Sequence, residues 1–336
     1  MLSKLDKTSP APMPVIFGLS ETKLTKDEKA FLKDANPLGV ILFARNCENA
    51  KQVKKLCKDV QSALGREAPI LIDQEGGRVQ RLKPPEWTQY PPARHFAELV
   101  SSNLSTGGAE LREAMGNLSA ELYELGINVN CAPVLDIDYP NSHESIGDRS
   151  FGSDPQLVAM MANIVCQAFL DQGVLPVIKH MPGHGRAVSD SHVTLPVVDA
   201  ALSDMSKSDF LPYTQNTIKP HSEALWGMVA HVVYRQIDDQ APASCSRSVI
   251  YNIIRDRLKF SGLLLSDDIC MGALNIYGNH EYRAEKVLRS GCDIALHCNG
   301  DMKQMLAVAK RAPAMTEDAV KRYNKSAAWV RRNAKV

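Results

Sequence analysis

The stretch VLPVIKHMPGHGRAVSDSH, residues 174–192, decides how the rest of the chain is read. Its apolar run, Val174 to Ile178, leads directly into Lys179, His180, His184, Asp190 and His192, spread among Pro182, Gly183 and Gly185. An apolar run closed by Gly/Pro punctuation and titratable side chains predicts a buried strand ending in a catalytic loop, because reactive groups usually sit on loops held by a rigid scaffold.

Working outward, the same kind of apolar, β-rich segment recurs at Val15 to Leu19, Gly39 to Phe43, Ile70 to Ile72, Ile127 to Leu135, Trp226 to Ala230, Gly262 to Leu265 and Asp293 to Leu296. Helical periodicity fills most of the gaps, at Asn49 to Leu64, Glu110 to Leu125, Asp154 to Gln172, Arg247 to Leu258, Glu281 to Ser290 and Met302 to Arg311. Fully apolar strands alternating with amphipathic helices imply parallel strands covered on both faces. Eight such units predict a single-domain α/β fold over residues 1–336, a (β/α)8 TIM-type barrel. A doubly wound open sheet is the other architecture this alternation builds, but no GxGxxG loop follows the first strand. Pro84, Pro85, Pro91 and Pro92 predict that Gly76 to Gly108 is a long loop after the third strand. An extra C-terminal helix, N-capped by Thr316 and carrying Arg331, Arg332 and Lys335 as a solvated face, is expected to pack outside the barrel.

A formal net charge of +1 on 336 residues provides no field that would gather a polyanion, so neither nucleic acid nor an anionic membrane is an expected partner. No run of about 18 apolar residues occurs. The stretch Met1 to Pro14, with Lys4, Asp6 and Lys7, lacks the apolar core of a secretory signal, so a cytosolic location is expected. A monomer is the expected state. The eight cysteines show no zinc-like spacing and read as reduced core thiols.

In a barrel, the residues just after each strand face the active site. Here they are Asp73, Asp136, Asp138, Lys179, His180, His231, Asp267, Asp268 and His297. A lone aspartate in such a place usually closes a turn or caps a helix, yet titratable groups at six strand ends are hard to explain that way as a set. In Ser266-Asp267-Asp268, one aspartate is expected to cap the following helix, leaving the other as a nucleophile. Asp190 and His192 either stabilise a turn or form a carboxylate-oriented imidazole that shuttles protons. His180, His184, His192 and His231 could instead ligate a metal, but neither HxH nor HExxH is present, and no metal or cofactor is expected.

KHMPGHG with the following DSH, IDQEGGRVQRL at 72–82, IGDRSFG at 146–152, AHVVY at 230–234, SDD at 266–268 and LHCNGD at 296–301 together closely resemble the glycoside hydrolase family 3 β-N-acetylhexosaminidases of the bacterial NagZ type. The resemblance implies a retaining exo-β-N-acetylglucosaminidase of the cytosol. Such an enzyme removes non-reducing terminal N-acetylglucosamine from peptidoglycan fragments (muropeptides) during cell-wall recycling. It makes Asp267 the nucleophile and His192, paired with Asp190, the acid/base on a mobile loop. Asp73, Arg81, Arg149, Lys179 and His180 become the sugar-binding residues, while His231 and Asp268 lie near the same motifs without a defined role. Met181 stands where phenylalanine is common and Cys270 where serine is frequent, and both are expected to be packing positions. A metal-dependent hydrolase, a non-catalytic sugar-binding protein and a phosphorylase are the rival readings.

Overall fold

Eight parallel strands, paired in sequence order, close into a barrel in the computed structural model. The structure describes residues 2–5, 11–214 and 222–335, so Asp6 and Lys7 of the amino-terminal stretch lie outside it. The strands are β1 (Met13–Gly18), β2 (Pro37–Leu42), β3 (Ile70–Ile72), β4 (Val129–Asn130), β5 (Leu175–Met181), β6 (Trp226–Val229), β7 (Leu263–Asp268) and β8 (Ile294–His297). Ile178 on β5 and Leu264 on β7 both register against Gly227 of β6, and Phe17 of β1 meets His297 of β8 to close the ring. The fold expected from the alternation is therefore the one found.

Local chemistry explains the covering helices. Thr25 and Glu28 form a reciprocal capping box at the start of Lys26–Ala35. Asn49 caps Ala50–Leu64, and Asp154 followed by Pro155 starts Pro155–Asp171. The expected helix at Arg247 to Leu258 is present as a π-helix, Ser248–Arg257.

Three expectations need correction. The strand read over Ile127 to Leu135 keeps only Val129–Asn130 in the regular ladder, because Pro133 has no N–H to donate; pairing resumes irregularly where the Lys179 N–H donates to the Pro133 carbonyl at 3.2 Å. The proline-rich loop is partly ordered: Gln74–Gly76 pairs antiparallel with Val79–Gln80, and a helix runs over Ala93–Ser102. The next helix, Leu104–Leu125, begins upstream of Glu110 and contains Gly107, where a Cβ would come within 2.5 Å of the Val100 nitrogen. Close helix packing, not a loop, is what that glycine serves.

The third correction concerns the C-terminal helix, Glu317–Asn333. It is N-capped by Thr316 as expected, but Ala319, Tyr323, Ala327 and Val330 join one apolar cluster with the interior side chains Ile16, Leu71, Trp226 and Leu263. The Trp226 indole N–H donates to Ser326 Oγ at 2.9 Å. The helix thus seals one end of the barrel rather than joining the outer ring. Arg331, Arg332 and, just beyond the helix, Lys335 are exposed as expected, with Arg331 donating to the Leu2 carbonyl and Lys335 pairing with Asp171.

Candidate active site

The short hairpin after β3 folds Arg81 back onto Asp73. Arg81 Nη2 lies 3.0 Å from Asp73 Oδ2, and Lys179 Nζ, projecting from β5, lies 3.0 Å from Asp73 Oδ1. Glu75, on the same hairpin, takes both Nε and Nη2 of Arg149 at 2.8 Å and Lys179 Nζ at 2.6 Å. Two carboxylates and three cations therefore form one interlocked wall. Burial alone would raise both carboxyl pKa values, but Lys179 and Arg81 hold Asp73 well below its usual range, and Arg149 and Lys179 hold Glu75 at about 2. Burial pulls Lys179 down, and Asp73 and Glu75 more than reverse it, so the ammonium stays charged.

Behind this wall Asp136 is fully buried. Its carboxylate pairs with His180 Nδ1 at 2.6 Å and accepts the backbone N–H groups of His180 at 3.2 Å and His184 at 2.6 Å. Burial pushes Asp136 up, yet His180 and His184 bring it to about 2. An Asp136 fixed on Nδ1 leaves Nε2 of His180 for the pocket. His184 sits beside it, lowered to about 4 by burial and hence neutral at ordinary pH.

At the end of β7 the two neighbouring aspartates have different jobs. Asp268 Oδ1 accepts the Cys270 and Cys298 N–H groups at 2.9 and 3.1 Å, tying the ends of β7 and β8 together. It holds a turn and does not cap a helix as expected. Asp267 lines the open pocket, and among the described residues its carboxylate accepts the Asp268 N–H alone, at 2.8 Å. Burial raises its carboxyl, while the His180 and His231 imidazoles and the Asp268 amide outweigh that and lower it. The amide acts whatever charge the imidazoles carry.

On the loop after β5, Asp190 Oδ1 accepts the His192 N–H at 2.9 Å and meets His192 Nδ1 at 2.8 Å. The loop is pinned to the chain leaving β7, because the Gly272 N–H donates to the His192 carbonyl and the Ala273 N–H to the Ser191 carbonyl, at 2.9 and 3.2 Å. Glycine is needed at 272, where a Cβ would come within 2.5 Å of the Val193 carbonyl oxygen.

One cavity of about 740 Å³ is lined by Asp73, Arg81, Arg149, Lys179, His180, Asp190, His192 and Asp267. Every residue singled out for catalysis or sugar binding is thus brought to one place. Of the other strand-end candidates Asp268 also lines this cavity, whereas Asp138 pairs with Arg94 at 2.5 Å, His231 is buried between Ser244 and the Asp268 carbonyl, and His297 packs edge-on against Phe17 and His280. Sequence reasoning passed over Glu75, whose only signal was its place two residues beyond Asp73 at a strand end. Among the described residues no group of three His, Cys, Asp or Glu side chains is arranged to hold a metal ion. Met181 is fully buried in the core, a packing position as expected, while the half-buried Cys270 has its thiol pushed up to about 12 by burial, which disfavours the reactive thiolate.

Residues 11–328 match the model of the glycosyl hydrolase family 3 N terminal domain. The chain belongs to that family. It is 38% identical over 291 residues to a beta-hexosaminidase of Bordetella avium, covering 86% of this chain and 81% of that one. NagZ from Neisseria gonorrhoeae, solved in complex with N-trifluoroacetyl-D-glucosamine, superposes with a TM-score of 0.85 at 29% identity over 96% of this chain and 94% of that one. A family 3 beta-N-acetylglucosaminidase from Paenibacillus sp. str. FPU-7 gives the same TM-score at 26% identity, and this chain spans 61% of its length.

Proposed function

We propose that the chain is an exo-β-N-acetylglucosaminidase that works by a two-step, retaining mechanism with a covalent glycosyl-aspartate. As a member of family 3 it is a glycoside hydrolase, and its curated relative is named a beta-hexosaminidase. The observation that carries the finer reading is the convergence of Asp267, the ion-paired wall and the Asp190–His192 pair on one cavity.

Asp267 is ionised and among the described residues makes a single side-chain hydrogen bond, which leaves carboxylate lone pairs for attack on an anomeric carbon. Asp190, bonded to Nδ1 of His192, places the mobile proton on Nε2, where it protonates the departing oxygen. The neutral imidazole then takes a proton from water as that water releases the sugar with its β configuration retained. Arg81, Arg149 and Lys179 donate to sugar hydroxyls and Asp73 accepts from them, so one orientation of a pyranose is favoured. Because these groups already hold one another in place, binding the sugar costs little reorganisation.

For the substrate, muropeptides bearing terminal N-acetylglucosamine are proposed, with the reaction placed in cytosolic peptidoglycan recycling; the motif resemblance supports both. The mechanism is tested with a 5-fluoro N-acetylglucosaminyl fluoride, which traps the glycosyl-enzyme for mass spectrometry. The expected label falls on the peptide that contains Ser266 to Met271. A label on any other peptide removes Asp267 as the nucleophile. Product analysis with and without phosphate separates hydrolysis from phosphorolysis.

A further inference from the structure

His184 lines the cavity and has no task in the chemistry above. Its main chain is fixed to the wall, since its N–H donates to the buried Asp136 at 2.6 Å. Its ring is 3% exposed, stands edge-on to His180 with centroids 5.7 Å apart, and puts Nε2 3.2 Å from Ser191 Oγ. Ser191 is the middle residue of the Asp190–His192 loop. It is 5% exposed, whereas the side chains of Asp190 and His192 on either side are 31% and 69% exposed. The tip of the loop therefore dips one hydroxyl into the pocket and leaves the rest in solvent.

We propose that His184 is a positioning residue: through the Ser191 hydroxyl it latches the tip of the loop so that His192 is held opposite Asp267. This rests on the acid/base reading of His192. The neutral ring carries one N–H, and Nδ1 has no partner among the described residues. Placing the proton on Nδ1 would orphan a buried donor, so it belongs on Nε2, donating to Ser191 Oγ. The carbonyls of Ser191 and His192 meanwhile accept from Ala273 and Gly272, a few residues beyond the nucleophile. Ser191 thus joins the wall on one side to the nucleophile's own segment on the other. The other strong loop contact, Arg186 with Asp209 at 2.8 Å beneath the Tyr139 ring, fixes where the loop begins and not its tip.

The test compares kcat/KM, which reports the first bond cleavage, on a 2,4-dinitrophenyl and an unactivated alkyl β-N-acetylglucosaminide. In Ser191→Ala the alkyl substrate loses about tenfold to a hundredfold more than the dinitrophenyl one, the size of effect expected when a proton donor is misplaced by about an ångström. Inhibition by free N-acetylglucosamine is unchanged, since the wall is untouched. His184→Gln gives the same preference with a smaller loss, and it decides the matter if Ser191→Ala does not fold. Equal losses on both substrates, or none, overturn the latch. His192→Ala runs alongside: if it shows no leaving-group preference, the acid/base reading fails, and if it alone shows one, only the latch fails.

Discussion

Lys179 and Glu75 leave 3% and 7% of their side chains exposed, whereas His192 leaves 69%. The wall of the pocket is a closed network of ion pairs that ties distant parts of the chain together, Glu75 and Arg149 being 74 residues apart and Asp73 and Lys179 106. The loop pair is local, Asp190 and His192 being bonded across two residues and in contact with water. A buried network fixes geometry at a cost in desolvation and becomes strongly destabilising when one partner is lost. An exposed pair contributes little to stability. On the proposed mechanism, binding falls to the buried network and proton transfer to the exposed pair.

The largest expected effect lies between the two regions. Asp267→Ala lowers kcat/KM on a 4-nitrophenyl β-N-acetylglucosaminide by roughly 10⁴-fold or more, as expected for loss of a nucleophile. Near-normal turnover in that variant would remove the centre of the comparison. On the loop, His192→Ala costs between about 10² and 10⁴ in kcat/KM on an unactivated substrate and far less on an activated one. Its thermal midpoint stays at the wild-type value, and a clear drop would mean the loop is structural after all. On the wall, Glu75→Gln leaves Arg149 and Lys179 short of a countercharge. It destabilises the protein to urea by about 3 kcal/mol, while also raising KM. If the variant is as stable as the parent, the wall is not the closed network described.

The smallest effect is on acid stability, and its sign follows from three groups. Burial holds His184 at about 4 against an ordinary 6.5, so unfolding takes up a proton and stability falls as the pH drops from 6.5 toward 4. Glu75 and Asp136 are held at about 2, below their ordinary 4.5 and 3.8, so the stability they contribute is present above those values and lost as the pH falls toward 2. Urea midpoints measured against pH should therefore decline in two stages, and His184→Gln should flatten the first. A first stage unaltered by that change would place its origin in another histidine.

How much of this the sequence disclosed depends on the range over which each residue acts. The strand runs, the helix cap at Thr316, and the reactive ends of β3, β5 and β7 are all written within a few residues, and pattern reading finds them. Glu75 was invisible because its meaning lies in Arg149, reached only once the hairpin after β3 has folded. Asp136 was visible as a strand-end aspartate, but nothing local showed that it would be spent on His180 and His184. The C-terminal helix was misplaced for the same reason, since its apolar stripe fits an outer layer as well as a barrel floor until Trp226 is seen beneath it.

That floor has a consequence for traffic. Tyr323 and Trp226 stopper the bottom of the barrel, and Ile41, Met228 and Leu296 line the pocket above them. On the proposed mechanism a glycan cannot leave through that floor, so the end unit goes in first and comes out last, after the remainder of the chain has left by the way it came.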